Sequence, residues 1–445
     1  MPAVLPEPGT APTPTLLTTP MPDRAAATPR FSLRRLALLL GGLAMFGPFS
    51  IDTIFPAFPQ IGAQLGADKV AMQQTISVYL IAYALMSVVH GPLSDAIGRR
   101  RVILGGLAVF ALASAGCALA PDLPTLLAFR ALQGLSAGVG LIVGRAVIRD
   151  VLHGDDAQRL MSQVSMIFGI APAIAPIIGG WILGWSRWPT IFWFLVAFSV
   201  ALWLATFFAL PETHPREARL QPHPKAMLRD YAAIFVNPRF QRLAAAGTFN
   251  FGALFLYIAS APAFVLELMR WRGQHLREDQ FALFFVPMIG GMMLGAFLSG
   301  RTAGRVSGRR LAALGFACCG VAVAVNVAYN ALVPVPQWPW AVLPISLNAF
   351  GIALVFPILT LAILDMYPRQ RGSASSLQAF TGLVSNAVIA GVLSPLLSQR
   401  PMHLALGAAA FAFVAWGFWR WELRVSDRVP APSPRAAALE PTDRM

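Results

Sequence analysis

The sequence predicts an all-α polytopic membrane protein in which twelve transmembrane helices form two bundles of six. Three observations predict this fold. Hydrophobic residues make up 56% of the 445-residue chain and charged residues only 12%, about half the charged fraction of a soluble domain. Several apolar runs reach the roughly 20 residues that cross a hydrocarbon layer. The polar sequence Gly91–Arg101 between two such runs has an echo at Gly300–Arg310 in the second half, which indicates an internal duplication.

The apolar runs predict twelve spans with a polar stretch after the sixth. The first six are 36–58, 74–93, 102–120, 124–145, 161–185 and 190–210, and the second six are 243–268, 280–300, 311–332, 339–364, 374–398 and 403–422. The chain then divides into an N-terminal tail (1–33), a first bundle (34–210), a linker (211–242), a second bundle (243–422) and a C-terminal tail (423–445). The composition of both tails predicts disorder.

Basic residues predict the orientation of the chain in the membrane. The tails and the even-numbered loops carry 25 of the 34 Lys and Arg residues, and the odd-numbered loops carry 6. Because positive residues stay on the cytoplasmic side, both termini are expected to be cytoplasmic. The net charge of +14 has the same explanation, so we predict a lipid bilayer and no nucleic acid as partner. The abundance of Arg, Ala and Pro favours a bacterial inner membrane.

Two charged residues lie inside the predicted spans of the first bundle, Asp52 in span 1 and Arg130 in span 4. An ionisable residue within a span is costly and indicates function. Counting residues from the ends of the spans places both in the outer half of the bundle, where they could approach each other. We predict that Asp52 exchanges a proton as its contact with Arg130, solvent or substrate changes. The alternative is a fixed pair that only ties spans 1 and 4 together.

Polar, aromatic and methionine side chains in other spans predict the walls of a substrate cavity around Asp52 and Arg130. A pocket of this kind suits fairly hydrophobic ligands of varied shape. The predicted wall residues are Tyr79, Tyr83, Gln133, Met166, Asn250, Tyr257, Asn348 and Asn386.

The sequence predicts no metal site, no cofactor and no enzyme. The three cysteines, Cys117, Cys318 and Cys319, fall inside apolar runs and have no metal-ligand spacing. The six histidines are scattered, and no Gly-rich phosphate loop followed by Lys and Ser or Thr is present. We therefore expect a proton gradient, rather than a nucleotide, to supply the energy.

The motifs resemble those of the major facilitator superfamily, over about residues 34–422. The loop Gly91–Arg101 is similar to the loop that follows span 2 in this family, and its second-half echo differs in having Gly304 where Asp95 stands. Leu127–Gly138 resembles the arginine motif of span 4 in this family, and Gly169–Gly180 resembles the antiporter motif of drug exporters. The segment Ile51–Pro59, together with Arg145–Asp150 and Pro211–Thr213, is similar to the Bcr/CflA group of drug:proton antiporters. Some multidrug relatives carry a second acid in span 1, at a position that is Ala44 here.

The resemblance implies a cytoplasmic gate formed by Gly91, Asp95, Gly98, Arg99, Arg100, Arg101 and Asp150. Asp95 is expected near the start of span 11 at 372–376, where a helix N-terminus attracts an acid. Arg99 is expected to pair with Asp150. The resemblance also allows Arg130 to hold span 1 through backbone carbonyls.

In span 5 the resemblance implies an antiporter motif made of Gly169, Pro172, Pro176, Gly179 and Gly180. Its prolines kink the helix, and its glycines allow close approach to a helix of the second half.

These observations predict a monomeric drug or multidrug:proton antiporter that works by alternating access between the two halves. It would expel small, fairly hydrophobic, drug-like compounds in exchange for protons and so confer drug resistance. The alternative is a proton-coupled exporter of a metabolite such as a sugar or an amino acid.

Overall fold

The structure is a computed structural model that describes residues 33–152, 154–219, 224–302, 305–368 and 370–426. Residues 1–32 and 427–445, which make up most of the predicted tails, lie outside these ranges. Within them, eleven helices are long and apolar enough to cross a membrane. The twelfth, span 5, is the 30-residue helix Gly154–Leu183. The chain is therefore a multi-pass helical membrane protein, as predicted.

The first half contains spans 1 to 6, and spans 1, 2 and 4 are interrupted helices. Their bounds, in chain order, are Leu33–Asp52 with Phe58–Leu65, Lys69–Ser87 with His90–Ile97, Arg99–Ala118, Leu123–Ala137 with Gly144–Val151, Gly154–Leu183, and Pro189–Ala209. A 3₁₀ turn at Phe55–Ala57 interrupts span 1, and a π-helical turn at Val139–Val143 interrupts span 4.

The second half contains spans 7 to 12 and begins after a linker helix, Pro224–Val236. Its spans are Pro238–Ala259 with Ala261–Ala263, Ala282–Thr302, Gly308–Leu332, Leu343–Met366, Arg371–Val388 with Ser394–Leu397, and Pro401–Ser426. Span 7 ends in a π-helical turn at Phe264–Leu268, and span 11 contains another at Ile389–Leu393. A short hairpin follows span 7, with β1 (Arg270–Trp271) antiparallel to β2 (Gln274–His275).

The pairing of the spans repeats between the halves. Spans 1 and 5, 2 and 4, and 3 and 6 pack together in the first half, and spans 7 and 11, 8 and 10, and 9 and 12 do so in the second. The most extensive contacts between the halves are those of span 2 with span 11 and of span 5 with span 8. Span 2 is the equivalent of span 8 in the other half, and span 11 is the equivalent of span 5. These two contacts between the halves are therefore equivalent, as the predicted duplication requires.

The described boundaries correct three sequence-based expectations. The segment Gly91–Arg101 is mostly helical rather than a short loop, because His90–Ile97 forms a helix and span 3 begins at Arg99. The second bundle begins at Pro238, not at residue 243, and span 12 continues to Ser426. Buried backbone N–H and C=O groups need hydrogen-bond partners, and a helix supplies these partners within itself. In each case the helix therefore includes polar residues that the hydropathy pattern assigned to a loop or a tail.

Short polar side chains cap several spans, as expected for helix N-termini. The side chains of Asp68 and Asp122 accept hydrogen bonds from the backbone N–H groups of Ala71 and Thr125, at 2.7 and 2.8 Å. Hydrogen bonds from Thr125 to Asp122 lower the pKa of that carboxyl. These caps fix where spans 2 and 4 begin.

An ion triad around the buried Glu422 carboxylate fastens span 7 to span 12. The Glu422 carboxylate, 5% exposed, accepts hydrogen bonds from Arg239 Nε and Arg242 Nε, both at 2.8 Å. Arg242 is itself 11% exposed. Removing one member of such a group leaves a buried charge without its partner.

We expect Glu422→Ala to lower the free energy of unfolding by about 3 kcal/mol, because Arg242 would stay buried without a counter-charge. The melting temperature of the purified protein in detergent would fall accordingly. The matched control is Asp365→Asn, since Asp365 is 73% exposed and lies 4.0 Å from Arg371; it should melt like the wild type. Equal melting temperatures for the two variants would contradict the structural role of Glu422.

Candidate functional site

Asp52 is a buried carboxylate at the last residue of the first helix of span 1. Its exposed fraction is 4%. Within the described part of the chain no side chain or backbone group donates a hydrogen bond to it, and no cation lies within ion-pair distance. Because a buried charge needs compensation, this carboxylate depends on a proton, a water molecule or a ligand.

Arg130 in span 4 is fully buried and is held by neutral acceptors. Its Nε donates to Thr75 O at 3.1 Å, and one terminal nitrogen donates to Ser50 O and Ser50 Oγ, both at 3.0 Å, and to Gln133 Oε1 at 2.7 Å. Its guanidinium lies over the ring of Tyr79, 4.5 Å from the ring centre. Arg130 therefore joins spans 1, 2 and 4, and none of its partners among the described residues is a carboxylate.

The contact between Asp52 and Arg130 that the sequence suggested is absent from this structure. The alternative role of Arg130, holding span 1 through backbone carbonyls, is the one whose geometry is present. Gln133 is fully buried and donates to Ser114 Oγ at 2.7 Å, while its amide oxygen accepts the hydrogen bond from Arg130.

Two acceptors of Arg130, Ser50 and Thr75, were not predicted from the sequence. Thr75 contributes only a backbone carbonyl, which no sequence pattern reveals. Ser50 lies two residues before Asp52, and a hydroxyl so close to an acid within an apolar run could have indicated that it belongs to the same polar site.

The other predicted cavity residues belong to both halves of the chain. Tyr79 and Tyr83 stack edge to face, with ring centres 6.3 Å apart, next to the Arg130 cluster. In the second half, Tyr257 accepts a hydrogen bond from Asn326 at 2.8 Å and is buried. The three predicted asparagines of the second half, Asn250, Asn348 and Asn386, are also buried. The side chain of Met166 in the first half lies outside the described part of the structure.

Hydrogen bonds join the two halves near one side of the membrane. We call the side where span 1 begins and span 12 ends the terminal face, and the other side the far face. Three side chains at the far-face end of span 2 donate to backbone carbonyls of spans 7 and 11: Gln73 to Ala259 (2.9 Å), Gln74 to Gly391 (3.0 Å) and Ser77 to Ala387 (3.0 Å). Lys69 and Glu267 form an exposed ion pair there. These contacts close the far face.

The paired glycines of span 5 complete this closure. A Cβ atom on Gly179 would overlap the carbonyl oxygen of Thr53 in its own half. A Cβ atom on Gly180 would overlap the carbonyl oxygen of Glu278 in the other half. Pro172 and Pro176 lie within the same helix, and the surroundings of Gly169 are outside the described residues. The close approach to the second half that the glycines predicted is therefore present at Gly180.

The predicted gate residues lie at the terminal face and make contacts within the first half. Arg99 Nε donates to Asp150 Oδ2 at 3.0 Å, as predicted. A terminal nitrogen of Arg99 contacts Asp95 Oδ1 and Ser94 Oγ, both at 2.5 Å. Gly98 breaks the helix with φ of +105°, a conformation that favours glycine. Arg99 is thus the centre of this cluster.

No hydrogen bond or ion pair joins Asp95 to the start of span 11 among the described residues, so the expected contact is absent there. Its carboxylate is committed to Arg99, one turn further on. Tyr231 of the linker helix instead occupies the space between the halves, where its hydroxyl donates to Val88 O at 3.0 Å and interacts with Ser376 of span 11. Burial raises the pKa of Tyr231. Tyr231 was not predicted as a site residue, because it lies in the polar stretch 211–242, which the sequence pattern assigns to a linker.

A match to a family model identifies the family of this chain. The model of the Major Facilitator Superfamily matches residues 38–390. The chain belongs to the Major Facilitator Superfamily. This confirms the predicted family, which is one of transporters and not of enzymes.

Several facilitators are similar to this chain. The uncharacterized MFS-type transporter YdgK of Bacillus subtilis is 30% identical over 86% of this chain and 93% of its own length. The bicyclomycin resistance protein homolog of Haemophilus influenzae is 25% identical, over 83% and 92% of the two chains. Multidrug resistance protein D of Escherichia coli is 27% identical, over 82% and 89%. These names agree with the predicted Bcr/CflA group.

Solved facilitator structures share the fold. The peptide transporter POT has a TM-score of 0.70 and 14% identity, covering 89% of this chain and 94% of its own. The human organic anion transporter MFSD10 has a TM-score of 0.62 and 20% identity, covering 89% and 100%. At these identities the likeness concerns the fold alone.

We expect Gly180→Ala to open the far face of this facilitator, since its Cβ would overlap the backbone of Glu278. The measurement is labelling of Ser77→Cys by a membrane-impermeant maleimide, in a background without native cysteines. Labelling should rise about threefold or more as the population shifts. Gly184→Ala is the matched control, because the nearest neighbours of its Cβ belong to span 5 itself. Unchanged protection of Ser77→Cys in Gly180→Ala would contradict the closure role.

Proposed function

We propose that this facilitator exports small, fairly hydrophobic, drug-like compounds in exchange for protons across a bacterial inner membrane, with both termini in the cytoplasm. The observation that carries the proposal is Asp52, a buried carboxylate without a described partner, in the half that also buries Arg130. The names of two relatives, which refer to bicyclomycin and multidrug resistance, support the class of compound. The protein works as a monomer and without a cofactor.

The proposed cycle uses the closed far face as its starting state. A compound enters from the terminal face, and the bonds made by Gln73, Gln74 and Ser77 then break as the halves rock. With the far face open, the compound leaves and Asp52 takes a proton from that side. When the far face closes again, Asp52 releases the proton towards the terminal face.

In this cycle Arg130 keeps its charge and its neutral acceptors. Its hydrogen bonds to Ser50 and Thr75 hold the end of the first helix of span 1, which carries Asp52. Arg130 is therefore a positioning residue. It sets where the carboxylate lies relative to the path of the compound and of the proton.

The test is the movement of protons in inverted membrane vesicles that contain the full-length wild type. A pH gradient is established, and several unrelated hydrophobic antibiotics are added in turn. Discharge of the gradient by these compounds, absent from vesicles without the protein, supports drug:proton exchange. Discharge by sugars or amino acids but by none of the antibiotics would replace the proposal with metabolite export.

A further inference from the structure

A cavity of about 360 Å³ lies at the terminal face, away from Asp52 and Arg130. Two of its residues come from the first turn of span 3 and four from the segment after span 6: Arg100, Arg101, Glu212, Pro215, Arg216 and Arg219. Four guanidinium groups share this space with one carboxylate. Because like charges in one cavity repel each other, the arrangement favours a bound anion.

The single carboxylate is already committed to other groups. Glu212 Oε1 accepts hydrogen bonds from the backbone N–H groups of Arg99 at 2.8 Å and His214 at 3.1 Å. Its other oxygen lies 3.7 Å from a terminal nitrogen of Arg219. Glu212 thus caps span 3 and compensates at most part of the positive charge.

Two arginine donors in the cavity lack an acceptor. Arg100 Nε and Arg219 Nε are both buried and have no hydrogen-bond partner among the described residues. Leaving a buried donor unpaired is costly. The oxygens of a phosphate group accept several hydrogen bonds at once and match the planar fork of a guanidinium.

The cavity lies where the membrane meets water. Arg100 donates to the carbonyl oxygen of Phe207 at 2.6 Å, and its guanidinium lies 5.0 Å from the centre of that ring. Phe207 and Phe208, in the last turn of span 6, are 43% and 80% exposed. Apolar side chains so exposed on a spanning helix face the hydrocarbon. The phosphate of a membrane lipid occupies this depth, and basic pockets there bind lipid head groups.

We propose that this cavity binds a phosphate group, with Arg100, Arg101, Arg216 and Arg219 as its ligands. An anionic phospholipid supplies the group as a phosphodiester at the membrane surface, and inorganic phosphate supplies it from solution. The site is separate from the transported compound and does not depend on it.

The test measures the binding of phosphatidylglycerol and of phosphatidylcholine to the purified full-length protein in a neutral detergent, by native mass spectrometry. The double variant Arg101→Gln with Arg216→Gln removes two exposed cavity arginines that make no described side-chain contact. The matched control is Arg305→Gln with Arg310→Gln, which removes two exposed arginines from the equivalent loop of the second half. Melting temperatures without lipid verify that both variants fold.

We expect phosphatidylglycerol to bind the cavity variant at least tenfold more weakly than the wild type, with the control unchanged. Phosphatidylcholine should bind weakly to all three proteins, because it carries no net negative charge. Displacement of phosphatidylglycerol by millimolar inorganic phosphate would show that the phosphate group alone is recognised; the absence of displacement would assign the site to the lipid. Equal binding to wild type and cavity variant, or equal losses in both variants, would overturn the proposal.

Discussion

Replacing Asp52 with asparagine is expected to abolish the exchange of substrate for protons. Asparagine has nearly the same shape but neither takes up nor releases a proton. Among the described residues no other acid forms a contact with Asp52, so none is placed to take over its role in proton exchange. In inverted vesicles, compounds that discharge the pH gradient through the wild type should produce about a hundredth of that signal or less through Asp52→Asn, a loss of about 3 kcal/mol or more.

The matched control for this experiment is Asp68→Asn. Asp68 is an exposed acid that caps span 2, and asparagine caps a helix equally well. This variant should discharge the gradient as the wild type does. Asp52→Glu should restore part of the signal, since it keeps a carboxyl group in the site. Discharge of the pH gradient by Asp52→Asn at the wild-type level would show that Asp52 does not carry the proton in the proposed cycle.

Replacing Arg130 with lysine is expected to reduce transport about a hundredfold although the positive charge is kept. The guanidinium reaches Thr75, Ser50 and Gln133 together, whereas a lysine ammonium is a single point donor. Losing two hydrogen bonds from a charged group costs about 3 kcal/mol, which corresponds to about a hundredfold in rate. The measurement is the initial rate of compound efflux from cells or vesicles, with the melting temperature of the purified variant beside it.

Arg400→Lys is the control for Arg130→Lys, because Arg400 is exposed at the far face. We expect Arg130→Lys to lower both the transport rate and the melting temperature, as a positioning residue would. A variant that melts like the wild type and moves compound without protons would instead assign Arg130 to the proton pathway.

Hydropathy predicted the membrane fold because the length of a span is set by the bilayer. The same reasoning identified Asp52 and Arg130, since a charge inside an apolar run is conspicuous. The acceptors of Arg130 escaped prediction because Thr75 acts through its backbone carbonyl. Which charge faces which acceptor depends on how spans 1, 2 and 4 rotate against each other, and that is decided by packing.

The terminal face shows a different limit of sequence reasoning. Glycines and charges at Gly91–Arg101 are typical of a loop, yet the chain needs only Gly98 to turn between two helices. The hairpin after span 7 was missed because its strands have two residues each. Its turn is formed by Arg272 and Gly273, both with positive φ, a pattern too short to stand out from the surrounding sequence.

The neutral surroundings of Arg130 have an electrical consequence. Its guanidinium has no carboxylate partner in the part of the chain that the structure describes, so its charge stays fixed while Asp52, under the proposed exchange, alternates between charged and neutral. The first half would then carry one more positive charge at this depth in its protonated state than in its deprotonated state. A membrane potential acts on such a difference with about 2.3 kcal/mol per charge and 100 mV across the full bilayer. The voltage, negative inside, would therefore help to drive the step that returns the proton to the cytoplasm, and export would continue when the pH difference alone has collapsed.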